Sequence, residues 1–378
     1  MHTLTWNQVH TWRLTQHGLT PRISKEDWVQ IVTRIGGFQA QVMSAAELAL
    51  CSRVEGLSAQ DIKSALWQDH TLIKTWAMRG TLHLLPATEL PLYVAARNWQ
   101  LDTSWSRYFA EFGLSSQAQQ EAYLAAIPHV LEQGPMTRQQ LADAVAKHTR
   151  IALVRDLIVS ANWGSPLKPS AYRGDLCFGP SQGSNVTFVH PKTWISNWSA
   201  QDTLEQEQAL KRFVRLYLQA YGPALPEDFA RWWGGNLSHA RKLFRSMQDE
   251  VKEVEIEGQH AFALDTTLKH IQNAERSEVI HFLPLFDVYT IGVGRTLGEI
   301  LPPIHKKLVF RPQGWISAVI LVNGSIQGVW QSSPKRSQIH IKVHMFPPQA
   351  TSIEKRIKAE ADRLRSFYQK DIHLEFRK

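Results

Sequence analysis

The stretch Leu72-Ile73-Lys74-Thr75-Trp76-Ala77-Met78-Arg79-Gly80-Thr81-Leu82-His83-Leu84-Leu85 decides the fold of the first part of the chain. Its two apolar runs alternate like strands, and Arg79-Gly80 between them is a turn signal, so the stretch predicts a β-hairpin. Three helical patterns precede it. Three helices followed by a hairpin is the order of a winged helix, the helix-turn-helix variant with a β-wing.

The helices upstream of this hairpin are marked by caps and apolar spacing. Ser24 is expected to cap a helix that ends at Gly36-Gly37. Its apolar stripe, at the i, i+3, i+4 and i+7 spacing of an amphipathic helix, consists of Trp28, Ile31, Val32 and Ile35. Two capping-box pairs predict the next two helices: Ser44 with Glu47, and Ser58 with Asp61.

A pair of glutamines follows the first of these helices, in the segment Gly36-Gly37-Phe38-Gln39-Ala40-Gln41. An amide oxygen accepts a hydrogen bond from water, and the amide nitrogen donates one to a phosphate or a base. The same groups also satisfy backbone atoms where two helices meet. The residues alone leave both interpretations open, and the surrounding chain has to decide between them.

The helix-then-hairpin pattern recurs along the chain. Gly-Pro pairs at 134–135 and 222–223 each end one helical segment and precede others, and strand-like runs follow. We therefore predict four domains: a first winged helix with an N-terminal extension and a helical connector (1–115), a second winged helix with a long wing (116–200), a third winged helix (201–272) and a β-rich, barrel-like domain with a C-terminal helix (273–378).

The last of these domains is predicted from apolar runs at 279–283, 308–310, 316–322 and 326–330, with a basic amphipathic helix at 353–368 as the last element. The predicted fold class is therefore α+β: tandem winged-helix domains (helix-turn-helix plus β-wing) with a C-terminal small β-barrel or sheet that the helix covers.

Charge and composition restrict the classes of partner that this chain can bind. The chain has 378 residues, 43% hydrophobic content and a formal net charge of +8, which favours a globular protein with an anionic partner. Nucleic acid is the first candidate and an acidic membrane surface the second. The N-terminus lacks a signal-peptide pattern, and no apolar run is long enough to cross a bilayer, so we expect a cytoplasmic protein without a membrane partner.

The metal-binding residue types show no motif. Cys51 and Cys177 are the only cysteines, and neither has a ligand neighbour at zinc spacing, so a disulfide framework or a zinc site is not indicated. The 16 histidines include no His-Glu-x-x-His pattern. A metal-dependent nuclease is disfavoured, and we expect no cofactor and no metal.

Basic residues near the predicted wings and recognition helices are the candidates for phosphate contacts. Any one of them is equally a solvated surface charge, but together they predict a channel for double-stranded DNA. The candidates are Arg34, one helical turn before the glutamines; Lys74 and Arg79 at the first wing; Lys168 and Arg173 before the second; and Arg241, Lys242 and Arg245 on the third recognition helix.

Five segments, spread over nearly the whole chain, resemble the AlkZ/YcaQ-type winged-helix DNA glycosylases of the Gln-x-Gln branch. They are Gly37-Phe38-Gln39-Ala40-Gln41, Trp76–Leu85 (WAMRGTLHLL), Leu283–Tyr289 (LPLFDVY), Gly314-Trp315 and Val322–Trp330 (VNGSIQGVW). The resemblance implies tandem winged helices around a basic channel and excision of alkylated purines from DNA, including bulky or cross-linked ones. It also implies that Gln39 and Gln41 are catalytic.

The chemistry of an amide pair suits a restricted substrate. Breaking an N-glycosidic bond develops positive charge on the sugar, and an amide oxygen can face that charge while holding a water molecule. An N7-alkylated purine is a cation that leaves as a neutral base and needs no general acid. No lysine lies beside the glutamines, so we expect a monofunctional glycosylase. Asp287 matches a family position but is expected to be structural.

The competing hypothesis is a non-catalytic winged-helix DNA-binding protein, such as a transcription regulator. A regulator should prefer a sequence in undamaged duplex and usually dimerises on symmetric half-sites. Three tandem modules in one chain can instead hold damaged double-stranded DNA as a monomer, which favours the enzyme.

Overall fold

The computed structural model describes residues 2–160, 162–196, 198, 204–275, 278–293, 298–347 and 351–377. The chain divides into two compact units: unit 1 comprises Met1–Ile62 and Lys211–Lys378, and unit 2 comprises Lys63–Leu210. The α+β class is confirmed, since helices and sheets occur in both units. The four-domain division stays a prediction.

The N-terminal part of unit 1 is mostly helical. Its elements are β1 (His2–Leu4), α1 (Trp6–Gln16), α2 (Trp28–Ile35), β2 (Phe38–Gln39), α3 (Met43–Cys51) and α4 (Ala59–Trp67), the last of which continues into unit 2. The predicted apolar stripe of α2 is confirmed, because its four members are the buried residues of that helix. The Ser58 amide donates to the Asp61 carboxylate at 2.9 Å, and the Asp61 amide donates to the Ser58 hydroxyl at 3.3 Å, as the capping box predicts.

The capping box predicted for Ser44 and Glu47 is wrong. Helix α3 begins one residue earlier, at Met43, and its N-cap is Val42, whose side chain cannot cap. Ser44 therefore lies inside the first turn and is exposed, while Glu47 lies on the buried face of the helix. Val42, at φ −117° and ψ 108°, occupies the cap position, and no side-chain cap hydrogen bond forms there.

In unit 2 the predicted hairpin follows the end of α4, and its strands β3 (Leu72–Trp76) and β4 (Leu82–Pro86) pair antiparallel. The remaining elements of this unit are α5 (Leu90–Arg97), α6 (Thr103–Glu111), α7 (Gln117–Leu131), β5 (Met136–Thr137), α8 (Arg138–Thr149), α9 (Leu153–Ser160), α10 (Lys168–Tyr172), β6 (Cys177–Gln182), β7 (Asn185–Val189) and α11 (Pro191–Trp194). Strand β5 lies between α7 and α8, and it joins β6 and β7 in a small sheet of order β5-β7-β6. The apolar faces of α7, α8 and α9 meet in one core.

The rest of unit 1 contains α12 (Gln206–Tyr221), α13 (Pro226–Trp233), α14 (Leu237–Ser246), β8 (Val251–Ile256), β9 (Gln259–Leu264), α15 (Asp265–Gln272), β10 (Ile280–Leu283), α16 (Val288–Gly292), α17 (Lys306–Val309), β11 (Val319–Val322), β12 (Ser325–Pro334), β13 (Gln338–Met345), α18 (Thr351–Asp362), α19 (Leu364–Tyr368) and β14 (Asp371–Arg377). Helices α12 to α14 precede the β8–β9 hairpin, which β1 extends as a parallel third strand.

The C-terminal part differs from the prediction in two places. Residues 308–310 do not form a strand, because Leu308 and Val309 belong to the short helix α17 and only Phe310 makes an isolated bridge, to Ile316. The helix predicted at 353–368 is broken into α18 and α19 and is followed by β14, which pairs parallel with β13. The result is a five-stranded sheet of order β10-β11-β12-β13-β14, with α18 and α19 packed on one face.

Candidate active site

The glutamine segment starts at a backbone reversal made by two glycines. Helix α2 ends where Gly36 adopts the left-handed conformation (φ 80°), and Gly37 follows at φ 89°. A Cβ atom at Gly36 would lie only 2.8 Å from Leu216 and 2.9 Å from Trp232, so α12 and α13 pack directly against this turn. Only glycine meets both requirements without strain. The turn fixes the direction in which the glutamines leave the helix.

The segment after this turn is almost completely buried. Phe38 and Ala40 are fully buried, Gln39 is 7% exposed, and Gln41 is partly buried. Phe38 and Gln39 form the short strand β2, in which successive side chains point to opposite sides, so Gln39 faces away from Phe38. A polar side chain held at such low exposure is oriented by its surroundings, unlike a solvated surface glutamine.

A buried ion pair supports the core side of this segment. The Arg53 guanidinium donates to both Asp287 oxygens at 2.8 and 2.7 Å, and both side chains are fully buried. The same guanidinium lies 5.3 Å from the ring centre of Phe38, a cation–π distance. Asp287 also accepts a hydrogen bond from the backbone of Tyr289 and so caps α16. Asp287 is therefore fully engaged in structural contacts.

The residue after the motif is supported in a similar way. Val42 packs against an apolar cluster of Phe286, Ile291 and Ile316. Phe286 has the left-handed φ of 56°, a strained conformation for a bulky side chain. Phe286 and Asp287 are neighbours in sequence. Phe286 belongs to the cluster against which Val42 packs, and Asp287 holds Arg53, which lies against Phe38, so one turn of the chain supports residues on both sides of the glutamines.

Aromatic side chains pack near the C-terminal end of α2. The Tyr221 hydroxyl donates to the backbone oxygen of Ile35 at 3.0 Å, in the last turn of that helix. The ring of His17 meets those of Tyr221 and Tyr289 edge-on, at 4.8 and 5.0 Å. Burial, followed by the charge of Arg53, lowers the pKa of His17 well below its ordinary value, so this imidazole is neutral near pH 7.

In unit 2 the predicted cations Arg79 and Lys168 both lie at the tip of the β3–β4 hairpin, Arg79 within it and Lys168 on the helix α10 beside it. Arg79 occupies the tip of the β3–β4 hairpin at φ 55°. A Cβ atom at Gly80 would lie 2.9 Å from the Tyr172 hydroxyl and 3.6 Å from the Lys168 ammonium, so the hairpin tip packs on α10. Sequence reasoning missed Arg97, whose guanidinium stacks 4.3 Å from the Tyr172 ring and joins this basic cluster.

The other two cations predicted in unit 2 have local partners. The Lys74 ammonium lies 5.5 Å from the ring centre of Phe178. Arg173 forms an ion pair with Asp175 at 2.9 Å, which compensates its charge. Arg97 lies in the last turn of α5, and nothing in the sequence indicates that Tyr172 is its stacking partner.

In unit 1 the remaining predicted cations are exposed. Arg34 lies in the last turn of α2, and Arg241, Lys242 and Arg245 are all exposed on α14. Arg241 is ion-paired with Glu227 of α13. Among the residues that the structure describes, no cluster of three or more His, Cys, Asp or Glu side chains could hold a metal ion, and no helix is long and apolar enough to cross a membrane.

Together, the fold and the site define a basic α+β protein whose candidate reactive groups are two oriented amides. A family model described as DNA glycosylase AlkZ-like matches residues 32–367. The interstrand DNA cross-link repair glycosylase of Streptomyces sahachiroi is 35% identical over 335 residues, which is 86% of this chain and 88% of that protein. The chain belongs to the AlkZ-like DNA glycosylase family.

The structural comparison gives the same family. The solved structure of Streptomyces sahachiroi DNA glycosylase AlkZ superposes with a TM-score of 0.88 at 31% identity, over 100% of both chains. The resemblance read from the sequence is confirmed, and the protein is a DNA glycosylase with DNA as its substrate. The comparisons favour the enzyme over a non-catalytic regulator.

Proposed function

We propose that this protein hydrolyses the N-glycosidic bond of cationic N7-alkylated purines in double-stranded DNA, with Gln39 and Gln41 as its catalytic residues. The observation that carries the proposal is the fixed, buried placement of the Gln39-x-Gln41 segment between a glycine turn and two supports, Arg53 under Phe38 and Phe286 beside Val42. Preorganised dipoles of this kind stabilise charge without reorganisation at the moment of reaction.

The division of labour follows from amide chemistry. One amide oxygen accepts a hydrogen bond from the attacking water, and a carbonyl dipole faces the positive charge that develops on the sugar. Neither group ionises, so neither protonates the leaving base. An N7-alkylated purine is a cation, so it leaves the sugar as a neutral base without being protonated. A normal purine is neutral and would leave as an anion unless an acid protonated it. The pair therefore selects cationic lesions and leaves normal DNA intact.

Larger adducts are part of the proposal. The Streptomyces sahachiroi relative is described as an interstrand DNA cross-link repair glycosylase. We propose that this chain likewise accepts bulky or cross-linked N7 adducts, which requires an open cleft beside Gln39, because a cross-linked base cannot be turned into an enclosed pocket.

We also propose that three winged helices hold the duplex and that one copy of the chain suffices. Two features support this arrangement: helices α7 to α9 are followed by the β6–β7 hairpin and helices α12 to α14 by the β8–β9 hairpin, and exposed cations lie on α14. Arg34, Lys74, Arg79, Lys168, Arg173, Arg241, Lys242 and Arg245 are the proposed phosphate contacts.

The test measures release of N7-methylguanine from a methylated duplex by wild type, Gln39→Ala and Gln41→Ala, with folding checked by circular dichroism. Gln30→Ala is the matched control, since Gln30 is an exposed glutamine on the neighbouring α2 whose side chain donates to Asp27 at 3.0 Å. We expect each motif variant to lose on the order of 100-fold in rate, as for removal of one preorganised dipole, and the control to keep wild-type activity.

Two outcomes would contradict the proposal. Folded Gln39→Ala and Gln41→Ala proteins that release the base at the wild-type rate would exclude the motif from the chemistry. A wild-type protein that binds duplex but releases neither N7-methylguanine nor a bulkier N7 adduct would exclude the substrate class.

A further inference from the structure

The strand β14 forms one edge of the five-stranded sheet. It pairs with β13 on one side, and no other strand in the part of the chain that the structure describes pairs with its second side. In an edge strand the backbone N–H and C=O groups of alternate residues point away from the sheet and have no strand partner. This row of groups can pair with a further strand.

Several features that protect an edge from such pairing are absent from β14. The strand has seven residues, it contains no proline and no lysine, and its register with β13 runs without a bulge. The opposite edge strand, β10, has only four residues, and all of them are buried. Of these two edges, β14 is therefore the one at which a second chain can add a strand.

The two faces of β14 differ in character. Ile372, Leu374 and Phe376 are half-buried and pack against the apolar core to which α18 and α19 contribute. The residues of the other face are polar and exposed; they are Asp371, His373, Glu375 and Arg377. A strand added at this edge must continue the apolar row on one face and complement the charges on the other.

The sequence of β14 meets both requirements by itself when two copies run antiparallel around Leu374. Both carboxylates then lie opposite a basic side chain, and the apolar row continues from one copy to the other. Opposite charges at directly opposed positions stabilise a strand pair, and like charges destabilise it. The opposed residues are Asp371 and Arg377, Ile372 and Phe376, and His373 and Glu375, with Leu374 opposite itself.

Other registers lose this complementarity. A shift by two residues puts Asp371 opposite Glu375 in one direction and Glu375 opposite itself in the other. A shift by one residue puts charged side chains on the apolar face. Parallel pairing in register puts each charge opposite its own copy. The register around Leu374 is therefore the favoured one.

Contacts within the chain leave these charges available. Asp371 and Glu375 have only long, exposed ion pairs, with Arg365 and Lys342, each at 3.8 Å. Exposed pairs of this kind contribute little stability. Arg377 has no ion-pair partner among the residues that the structure describes.

We propose that two copies of this chain associate through their β14 strands, which join the two five-stranded sheets into one sheet about a two-fold axis at Leu374. One strand pair buries less surface than an obligate dimer does, so the association is weak and depends on concentration. The inference does not depend on the proposed function. None of the proposed phosphate contacts lies on β14, so the pairing is compatible with one copy on each duplex.

A cysteine at position 374 tests the register. The two-fold axis places this residue opposite its own copy, with Cα atoms about 4.5–5.5 Å apart, a separation that a disulfide can span. Ile372→Cys is the matched control, because its two copies lie four residues apart along the strands, roughly 13 Å. Mild oxidation should cross-link Leu374→Cys into a dimer and leave Ile372→Cys monomeric on a non-reducing gel.

Wild type is oxidised in parallel, since Cys51 is half-buried and Cys177 is buried, and circular dichroism checks the folding of both variants. Equal cross-linking of the two variants, or none in either, would overturn the register.

Sedimentation velocity over a range of concentrations measures the association itself. Arg377→Asp creates two acidic pairs and Asp371→Arg two basic pairs, so each variant alone should associate about tenfold more weakly than wild type. An equimolar mixture of the two variants restores both opposite-charge pairs and should associate like wild type. Arg107→Asp, which reverses an exposed arginine of α6, is the control for net charge.

Two results would overturn the proposal. One is a wild-type protein that stays monomeric at every concentration. The other is a mixture that associates no more tightly than either variant alone. Because the mixture contains the same folded chains as the separate samples, its recovery cannot be attributed to folding.

Discussion

Arg53 and Asp287 form a bidentate ion pair from which solvent is fully excluded, and the Arg53 guanidinium also lies under the ring of Phe38. Removing one partner leaves an uncompensated buried charge, so Asp287→Ala should lower the free energy of unfolding by about 3–5 kcal/mol. The excision rate of the folded fraction should fall as well, because Phe38 loses its support beside Gln39. Urea unfolding and single-turnover release measure the two effects.

The exposed pair of Arg215 and Glu250 is the control for this prediction. Its side chains are 39% and 47% exposed at a distance of 2.6 Å, so Glu250→Ala should cost no more than about 1 kcal/mol. Replacing both buried partners, as Arg53→Met/Asp287→Leu, should recover much of the lost stability, since no lone charge remains. An Asp287→Ala protein as stable as Glu250→Ala would contradict the assigned role.

Gly36 offers a second test of how the motif is positioned. Gly36→Ala places a Cβ atom in a left-handed backbone and within 3 Å of Leu216 and Trp232, so it should destabilise the protein by more than the conformational penalty of about 1–2 kcal/mol. Gly56→Ala is the matched control, because Gly56 has a similar φ of 70° but nothing within 4 Å. Thermal unfolding compares the two, and equal losses would show that the packing against α12 and α13 is unimportant.

Local patterns in the sequence predict much of unit 2 and the first helices of unit 1. The apolar stripe of α2, the hairpin around Arg79-Gly80 and the capping box of Ser58 depend on residues close in sequence, and all three occur in the structure. The strand β14 was missed because its pairing is parallel, with β13, and its alternating residues face α18 and α19, which only the folded chain brings together.

The candidate site shows the same limit. The resemblance pointed to Gln39 and Gln41 by their position in a motif, but Arg53 carries no local signal, since its partner Asp287 lies 234 residues away. The apolar run Leu308-Val309-Phe310 likewise predicts a strand that does not form. In the structure Leu308 is exposed and only Val309 is fully buried, a distinction that periodicity over three residues cannot make.

The third prediction concerns α14, where two neighbouring arginines differ in their partners. Arg245 is exposed and has no ion-pair partner among the described residues, whereas Arg241 is paired with Glu227. Arg245→Ala should reduce the salt slope of duplex binding by about 0.9, the value for one released counterion. The charge-neutral double variant Arg241→Ala/Glu227→Ala should change it less, because Arg241 divides its charge between Glu227 and its proposed phosphate contact. Fluorescence anisotropy at several salt concentrations measures both slopes, and the reverse order would mean that Arg241 leaves Glu227 for DNA.

The last prediction follows from the burial of His83 on β4. Burial, followed by the charge of Arg79, lowers the pKa of this imidazole from 6.5 to about 3, and its Nδ1 lies 2.9 Å from the backbone oxygen of Thr81. Between these two pH values the unfolded chain binds a proton that the folded chain does not. The contribution of neutral His83 is therefore complete above pH 6.5 and is lost as the pH falls towards 3, at up to about 1.4 kcal/mol per pH unit.

His83→Gln should remove this part of the acid sensitivity. In urea unfolding at about pH 7 and pH 5, the difference in stability should be smaller for His83→Gln than for wild type, and unchanged for His148→Gln, an exposed histidine of the same unit. An unchanged difference in His83→Gln would mean that His83 is protonated in the folded protein, with its charge accommodated beside Arg79.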